Sequence, residues 1–370
     1  MRRGGARLLV VVLAVLASLA LAGPASAHVG GGAAGSDFDG RVTALTPALP
    51  GVTVRVLQFG DDLEVVNRSA TEVEVPGYDD EPYLRIGPDG VWRNQRSPAT
   101  YINLDRYGRV ELPTTVDPRA EPQWVRLSTQ PHYVWHDHRT HWMTQGLLPP
   151  VVAADPGHSH TVFEWTVPLR YGDTDARVQG VLTWTPPPSP WLVWPLYAAT
   201  ALLAAAAGLL ARTARPLGVL MLAGAAAALW HAGATPVPAL SVSSHTGAIL
   251  AALLPALTAA LVAGFGFRAA RRGRGAMAGL FAVVLGWLLL VQGLPDVDVL
   301  WSANVLTSGP EAVGRVAVAL LLALGAGLVV GGIAAVRRFR EVGVPVLVSG
   351  PSSRCRPPAP PERPVSPLRP

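Results

Sequence analysis

Five apolar runs in the second half of the chain constrain its fold more than any other feature. Residues 192–211, 217–235, 248–267, 276–294 and 316–336 each approach the ~20 residues that a helix needs to cross a bilayer. Lipid offers no hydrogen-bond partners to a peptide backbone, so runs of this kind satisfy themselves as helices. Residues 188–340 are therefore expected to form an all-α bundle of about five transmembrane helices, entered through Pro186-Pro187-Pro188.

The charges flanking these runs give them a direction. Arg212 and Arg215 follow the first run, Arg268, Arg271, Arg272 and Arg274 the third, and Arg337, Arg338 and Arg340 the fifth. The alternate loops, 236–244 and 295–311, carry no arginine. Because basic loops stay in the cytoplasm, this pattern places the N-terminal part outside and the Pro-rich tail, 341–370, in the cytoplasm as a disordered segment. Trp191, Trp194 and Trp301 fall where an interfacial aromatic belt is expected. Within or beside the spans the ionisable candidates are His231, His245, Asp296 and Asp298. They read as interfacial and loop residues, with a small polar cluster as the alternative.

The start of the chain agrees with export. Arg2, Arg3 and Arg7 precede an apolar stretch, Pro24 breaks it, and Ala25-Ser26-Ala27 offers the small residues of a cleavage site. A signal peptide over 1–27 leaves His28 as the first residue of the mature chain.

Although the net charge is +5, residues 28–190 hold 20 acidic residues against 13 arginines. The excess of arginine thus follows membrane topology, and a nucleic-acid surface is not expected. The single cysteine, Cys355, lies in the tail, so residues 28–187 contain no disulfide and no thiolate ligand.

Residues 28–187 read as an extracytoplasmic domain of short strands. Runs at 52–58, 62–67, 71–76, 83–86, 123–128, 161–167 and 178–185 alternate apolar and polar residues between Gly, Pro and Asp turns. An antiparallel β-sandwich of immunoglobulin or cupredoxin type is the expected fold. Arg68-Ser69-Ala70 has the length of a hairpin loop between the second and third runs, and residues 81–107 read as long loops with short strands.

Seven of the nine histidines fall in this domain. His132, His136, His138 and His141 lie within ten residues, His158 and His160 form a second pair, and His28 is the seventh. In a strand, His136 and His138 project to one side, and neutral imidazoles are standard ligands of copper and zinc. His141 joins them only if the strand ends early. A mature N-terminal His28 adds a ring nitrogen and an α-amine, making a four-nitrogen set with His136 and His138 suited to tetragonal Cu(II). His158 and His160 follow Pro156-Gly157 and are expected in a solvated loop, with a second metal site as the alternative. In a regular strand Asp137 points away from the histidines, toward Arg139 or a backbone partner.

The set His28 plus His136-x-His138 resembles the histidine-brace copper sites of exported bacterial proteins. One such family is the periplasmic copper-binding CopC type; another is the exported B-subunit domain of particulate monooxygenases. The resemblance implies a copper site in a β-rich exported domain and covers only those three positions and the general layout. An Asp-x-His ligand pair of CopC type is absent, as is the second β-domain of the monooxygenase subunit, so no oxidation activity is carried over. The segment from Trp135 to Met143 also resembles one in actinobacterial membrane proteins, which implies no particular activity. His136-x-His138-x-x-His141 differs from the metallo-β-lactamase motif, which has aspartate where Thr140 stands. The expected function is membrane-anchored copper binding for acquisition, delivery or tolerance, with a copper-handling or envelope protein as the expected partner beside the lipid bilayer. The alternatives are an envelope scaffold with structural histidines and a zinc or copper metalloenzyme.

Overall fold

The computed structural model describes residues 34–236 and 245–340. The expected signal peptide, His28 and the tail 341–370 lie outside the described residues. The β-rich part comprises β1 (Gly35–Ser36), β2 (Phe38–Thr46), β3 (Val52–Leu57), β4 (Asp62–Asn67), β5 (Val73–Pro76), β6 (Pro82–Gly87) and β7 (Gly90–Asn94). These are followed by the short helix α1 (Ala99–Ile102), β8 (Trp124–Ser128), β9 (His132–His136), α2 (Pro150–Ala154), β10 (His160–Tyr171) and β11 (Thr174–Trp184).

A seven-stranded antiparallel sheet runs in the order β2-β11-β10-β5-β6-β7-β8, and a three-stranded sheet runs β3-β4-β9. Alternation along β11 buries Ala176, Val178, Leu182 and Trp184. Ala176, Val178 and Leu182 share one core with Leu63 and Val65 of β4, Trp135 of β9, and Val73, Val75, Leu84 and Ile86. The antiparallel β-sandwich is as expected.

Two local expectations change. Arg68-Ser69-Ala70 does not close a hairpin, because β4 and β5 belong to different sheets. Asn67 turns the chain across the sandwich: its Nδ2 donates to the carbonyls of Thr71 and Ile86, both at 2.8 Å. Its Oδ1 accepts from the amide and hydroxyl of Ser69 at 3.0 and 2.7 Å. The second change is in residues 81–107, where β6 and β7 form a regular antiparallel pair.

The helical part comprises α3 (Pro190–Leu209), α4 (Arg215–Gly233), α5 (His245–Arg271), α6 (Gly275–Gly293) and α7 (Glu311–Arg340). Five helices are long and apolar enough to cross a membrane, which makes the chain a multi-pass membrane protein. Helix α7 packs against α3, α4 and α6. It approaches α6 at glycines: a Cβ on Gly286 would stand 2.6 Å from the Gly325 oxygen, and one on Gly332 the same distance from the Gly279 oxygen. Small residues let backbones touch in a medium that supplies no hydrophobic drive between helices.

The two parts are joined by more than the linker. Between α6 and α7, a 3-10 turn (Leu294–Leu300) leads to β12 (Asn304–Val305), which pairs antiparallel with β1. Leu306 N donates to Ala34 O and Ala303 N to Asp37 Oδ1, each at 2.8 Å. Gly35 N donates to Asp298 Oδ2 at 3.1 Å. Below this joint the polar cluster is present: His231 Nε2 lies 2.8 Å from Asp296 Oδ2, and Asp296 is buried. Arg315 donates to the carbonyls of Val299 and Ala303 and so braces the same turn.

Candidate metal centre

Strand β9 ends at His136, earlier than the regular strand that would carry His138 on the same face. The next five residues form a turn. Asp137 N donates to Asp61 O at 3.3 Å, and Thr140 N returns to Asp137 O at 3.2 Å. Thr140 Oγ1 lies 2.5 Å from Gly60 O and 2.8 Å from Asp137 O. This turn, rather than strand alternation, swings His138 and His141 round to His136.

Asp137 is the anchor of the turn. It is fully buried, and its carboxylate accepts from Arg139 Nε at 2.8 Å, Arg139 Nη2 at 2.7 Å and Trp135 Nε1 at 2.9 Å. Burial opposes its charge, but these donors outweigh it and hold its pKa below the ordinary value. Arg139 in turn lies over the Tyr78 ring, 5.2 Å from its centroid. The motif thus divides its labour: Asp137, Arg139 and Thr140 shape the turn, and the three histidines are left to converge.

Their convergence is close. Each of His136, His138 and His141 offers one ring nitrogen, and the three atoms lie within 4.8 Å of one another. The ring centroids stand 4.6 to 5.6 Å apart. Three nitrogens at about 2.0–2.1 Å from one ion fall within such a triangle after small side-chain adjustment. His141 is buried, whereas His136 and His138 are partly exposed, so the cluster has an open side.

The remaining nitrogens face oxygen acceptors. His138 Nε2 lies 2.9 Å from Asp105 O, and His141 Nδ1 lies 3.2 Å from Trp142 O. Carbonyls only accept, so the proton of neutral His138 sits on Nε2 and that of His141 on Nδ1. His136 Nδ1 faces Asp62 Oδ1 at a longer 3.4 Å. The buried Nε2 atoms of His136 and His141 have no hydrogen-bond partner among the described residues. Lone pairs are therefore left on His138 Nδ1 and on Nε2 of the other two. An orienting oxygen behind each imidazole is the usual arrangement around a metal.

Electrostatics keeps the site ready for a cation. Burial and the neighbouring His136 ring hold the His141 imidazole down to about 3. Burial also lowers His138, against its hydrogen bond to Asp105. Both rings are therefore neutral at pH 7. Burial pushes the nearby Asp61 carboxyl up to about 6, against the pull of Arg106, with which it forms an ion pair, and of His136.

The other sequence candidates lie elsewhere. His158 is exposed, with Nδ1 2.9 Å from Asp155 Oδ1, and His160 Nε2 lies 2.6 Å from Asp155 O. Neither belongs to the trio. His132 pairs with Val66 at the other end of β9 and is likewise outside it. His28 lies outside the described residues.

Four surrounding residues carried no signal in the sequence. Asp61 precedes β4 and Asp62 opens it, and Asp105 and Gly108 come from the loop after α1. Gly108 has φ of +67°, and a Cβ there would meet His138 Cε1 at 3.2 Å. Only the tertiary fold brings these segments to β9.

Fold and site together define a multi-pass membrane protein carrying a trihistidine cluster in a β-sandwich domain. Comparison with protein-family models, curated proteins and solved structures gives no match to this chain.

Proposed function

We propose that this protein is a membrane-anchored, extracytoplasmic copper-binding protein that serves copper acquisition, delivery or tolerance. The observation that carries the reading is the convergence of His136, His138 and His141, with the second nitrogen of each ring facing an oxygen. Three imidazoles and no thiolate form a set that favours Cu(II) over the other divalent first-row metals. Zinc is the competing occupant, since three histidines with an open position also suit it. When bound, the ion supplies a Lewis-acidic centre. The chain's part is to hold three neutral nitrogens in place and, through the Asp137–Arg139 turn, to keep them there.

The extracytoplasmic side is supported by the charge pattern. Arg212, Arg215, Arg268, Arg271, Arg337 and Arg338 lie at the helix ends remote from the β domain, which the positive-inside rule assigns to the cytoplasm. The Ala25-Ser26-Ala27 cleavage pattern points the same way. Cleavage after Ala27 makes His28 available as a further chelating residue, its amine and ring adding to the three imidazoles.

The test is titration of the purified, processed full chain with Cu(II) and Zn(II) in competition, beside a version carrying one alanine ahead of His28. One equivalent of Cu(II) that displaces zinc supports copper handling. Preferential retention of zinc overturns it in favour of a zinc site. Unchanged copper affinity with the added alanine removes His28 from the ligand set and leaves the three described histidines as the site.

A further inference from the structure

The segment that leaves the metal centre is unusual for a surface loop. Residues 142–154, Trp-Met-Thr-Gln-Gly-Leu-Leu-Pro-Pro-Val-Val-Ala-Ala, contain no charged residue. Yet they are well exposed: Leu147 is 68% accessible, Leu148 46% and Val151 42%. The loop is held in shape, because Trp142 Nε1 donates to Leu147 O at 2.8 Å and Val152 of α2 is fully buried. An ordered loop that shows leucines and valine to its surroundings marks an interaction surface.

Its place in the fold says what it meets. The chain enters β10 at His160, which pairs with Trp184, and Trp184 pairs with Phe38. That end of the sheet is the end joined to the helices. Asp37 accepts from Ala303 N, and Asn304 Nδ2 donates to Ser36 O at 3.0 Å. Only residues 185–189 separate Trp184 from α3. Helix α2 packs on β10, and Asp155 O lies 2.6 Å from His160 Nε2, so the loop hangs from this same end. On the helix side of the same joint stand Trp194 and Trp301, stacked with ring centroids 6.4 Å apart, and the highly exposed Trp191. Tryptophans at a helix end mark the level of the lipid headgroups.

We infer that loop 142–154 is a lipid-contact surface: Leu147, Leu148 and Val151 enter the interfacial region of the leaflet on the β-domain side, in the bilayer that α3–α7 span. The absence of charge suits insertion, since apolar side chains gain by leaving water and no ion must be desolvated. The β domain is thereby held against the membrane at three places, the linker, the β1–β12 joint and this loop. The inference stands on exposure and position and is independent of which ion the histidines bind.

The test places a nitroxide label on the full chain in phosphatidylcholine–phosphatidylglycerol proteoliposomes, after Cys355→Ser removes the native thiol. Leu148→Cys carries the label at the loop, and Asp173→Cys carries it at the β10–β11 turn at the far end of the sheet. Relaxation by oxygen, which concentrates in lipid, is compared with relaxation by water-soluble chromium oxalate. The expected result is an oxygen-to-chromium accessibility ratio at least several-fold higher at 148 than at 173. Equal ratios would place the loop in water and overturn the inference. Low accessibility of 148 to both reagents would also overturn it, by showing a protein contact in place of lipid. Both sites are exposed, and a monodisperse chromatographic profile of each labelled variant confirms that the fold is retained.

Discussion

His138 Nε2 lies 2.9 Å from the main-chain oxygen of Asp105, which turns the other nitrogen of that ring toward His136 and His141. The cluster therefore mixes ligand atoms, Nδ1 from His138 and Nε2 from its two neighbours. Gly108 maintains the loop that carries this oxygen, with a left-handed backbone and only 3.2 Å between a would-be Cβ and the imidazole, so the ring would have to yield slightly. Gly108→Ala is expected to cost about 1–2 kcal/mol of stability and to weaken metal binding about 10–100-fold, the usual loss when an orienting partner is disturbed. Metal titration of the variant, beside its urea unfolding curve, checks both numbers.

Replacing the ligands one at a time should separate the trio from the other histidines. His136→Ala, His138→Ala and His141→Ala are each expected to lower metal affinity by more than about 100-fold, exceeding the loss from an orienting partner. His158→Ala and His160→Ala, whose rings bond to Asp155, should leave affinity within about twofold of wild type. Calorimetric titration of the five variants reads this directly, and equal losses in both groups would remove the trio from its assigned role.

Asp137 is fully buried, its partner Arg139 is partly exposed, and together they close the turn that gathers the ligands. Asp137→Ala leaves the guanidinium and the Trp135 indole without their acceptor. Removing one partner of a fully buried pair costs about 3–5 kcal/mol, and because Arg139 keeps some contact with water the loss here is expected at or below the lower end of that range. The unfolding midpoint of the β domain, followed by tryptophan fluorescence, should fall accordingly. A change below about 1 kcal/mol would show that the turn holds without this pair.

Two buried groups beside the metal centre act on the metal-free protein in opposite senses as pH falls. The folded-state pKa of His141 is depressed to about 3, against about 6.5 for an unperturbed imidazole. Between those values the unfolded chain binds the additional proton. The stability contributed by neutral His141 is complete above pH ~6.5 and is lost as pH falls toward about 3. Asp61, raised to about 6, acts in the opposite sense: its contribution is complete below ~3.8 and is lost as pH rises through about 6. Between about pH 6 and 4 the two slopes oppose each other and nearly cancel, so the wild-type stability is expected to be almost flat across that window. His141→Gln should remove one of the two and expose the slope from Asp61, a gain in stability as pH falls from about 6 to 4. Urea midpoints at pH 4, 5, 6 and 7 for both proteins decide it.

Asp298 links the helices to the first strand by accepting from Gly35 N. Asp298→Ala is expected to loosen the β1–β12 joint and speed amide exchange at residues 34–37 and 303–306 by about tenfold, the loss of roughly one hydrogen bond to a charged group. Hydrogen exchange read by mass spectrometry tests this. Unchanged exchange would show that the strand pairing and Asp37 suffice.

The architecture was legible because its signals are periodic and local. The apolar runs give all five helices, and alternation in residues 62–67 and 178–184 gives core strands of the sandwich. The crossing at Asn67 was not legible, because three residues between strands serve a hairpin and a change of sheet equally well. What separates the two is the long-range bond from Asn67 to Ile86. At the site, the spacing identified His136 and His138 and allowed for His141 if the strand ended early, as it does. The orienting oxygens of Asp105 and Asp62 come from distant segments, and nothing near them in the chain announces imidazole partners. His231 and Asp296 were visible as candidates for a polar cluster, but the choice of that alternative over separate interfacial and loop residues needed two helices and a turn to pack before the residues meet.

The most direct test of the metal centre is pulsed electron paramagnetic resonance of the full chain loaded with one equivalent of Cu(II), compared with His141→Ala. The account predicts coupling to the remote nitrogens of three imidazoles in the wild type and of two in the variant. A wild-type spectrum without histidine coupling, or one that His141→Ala leaves unchanged, would contradict it.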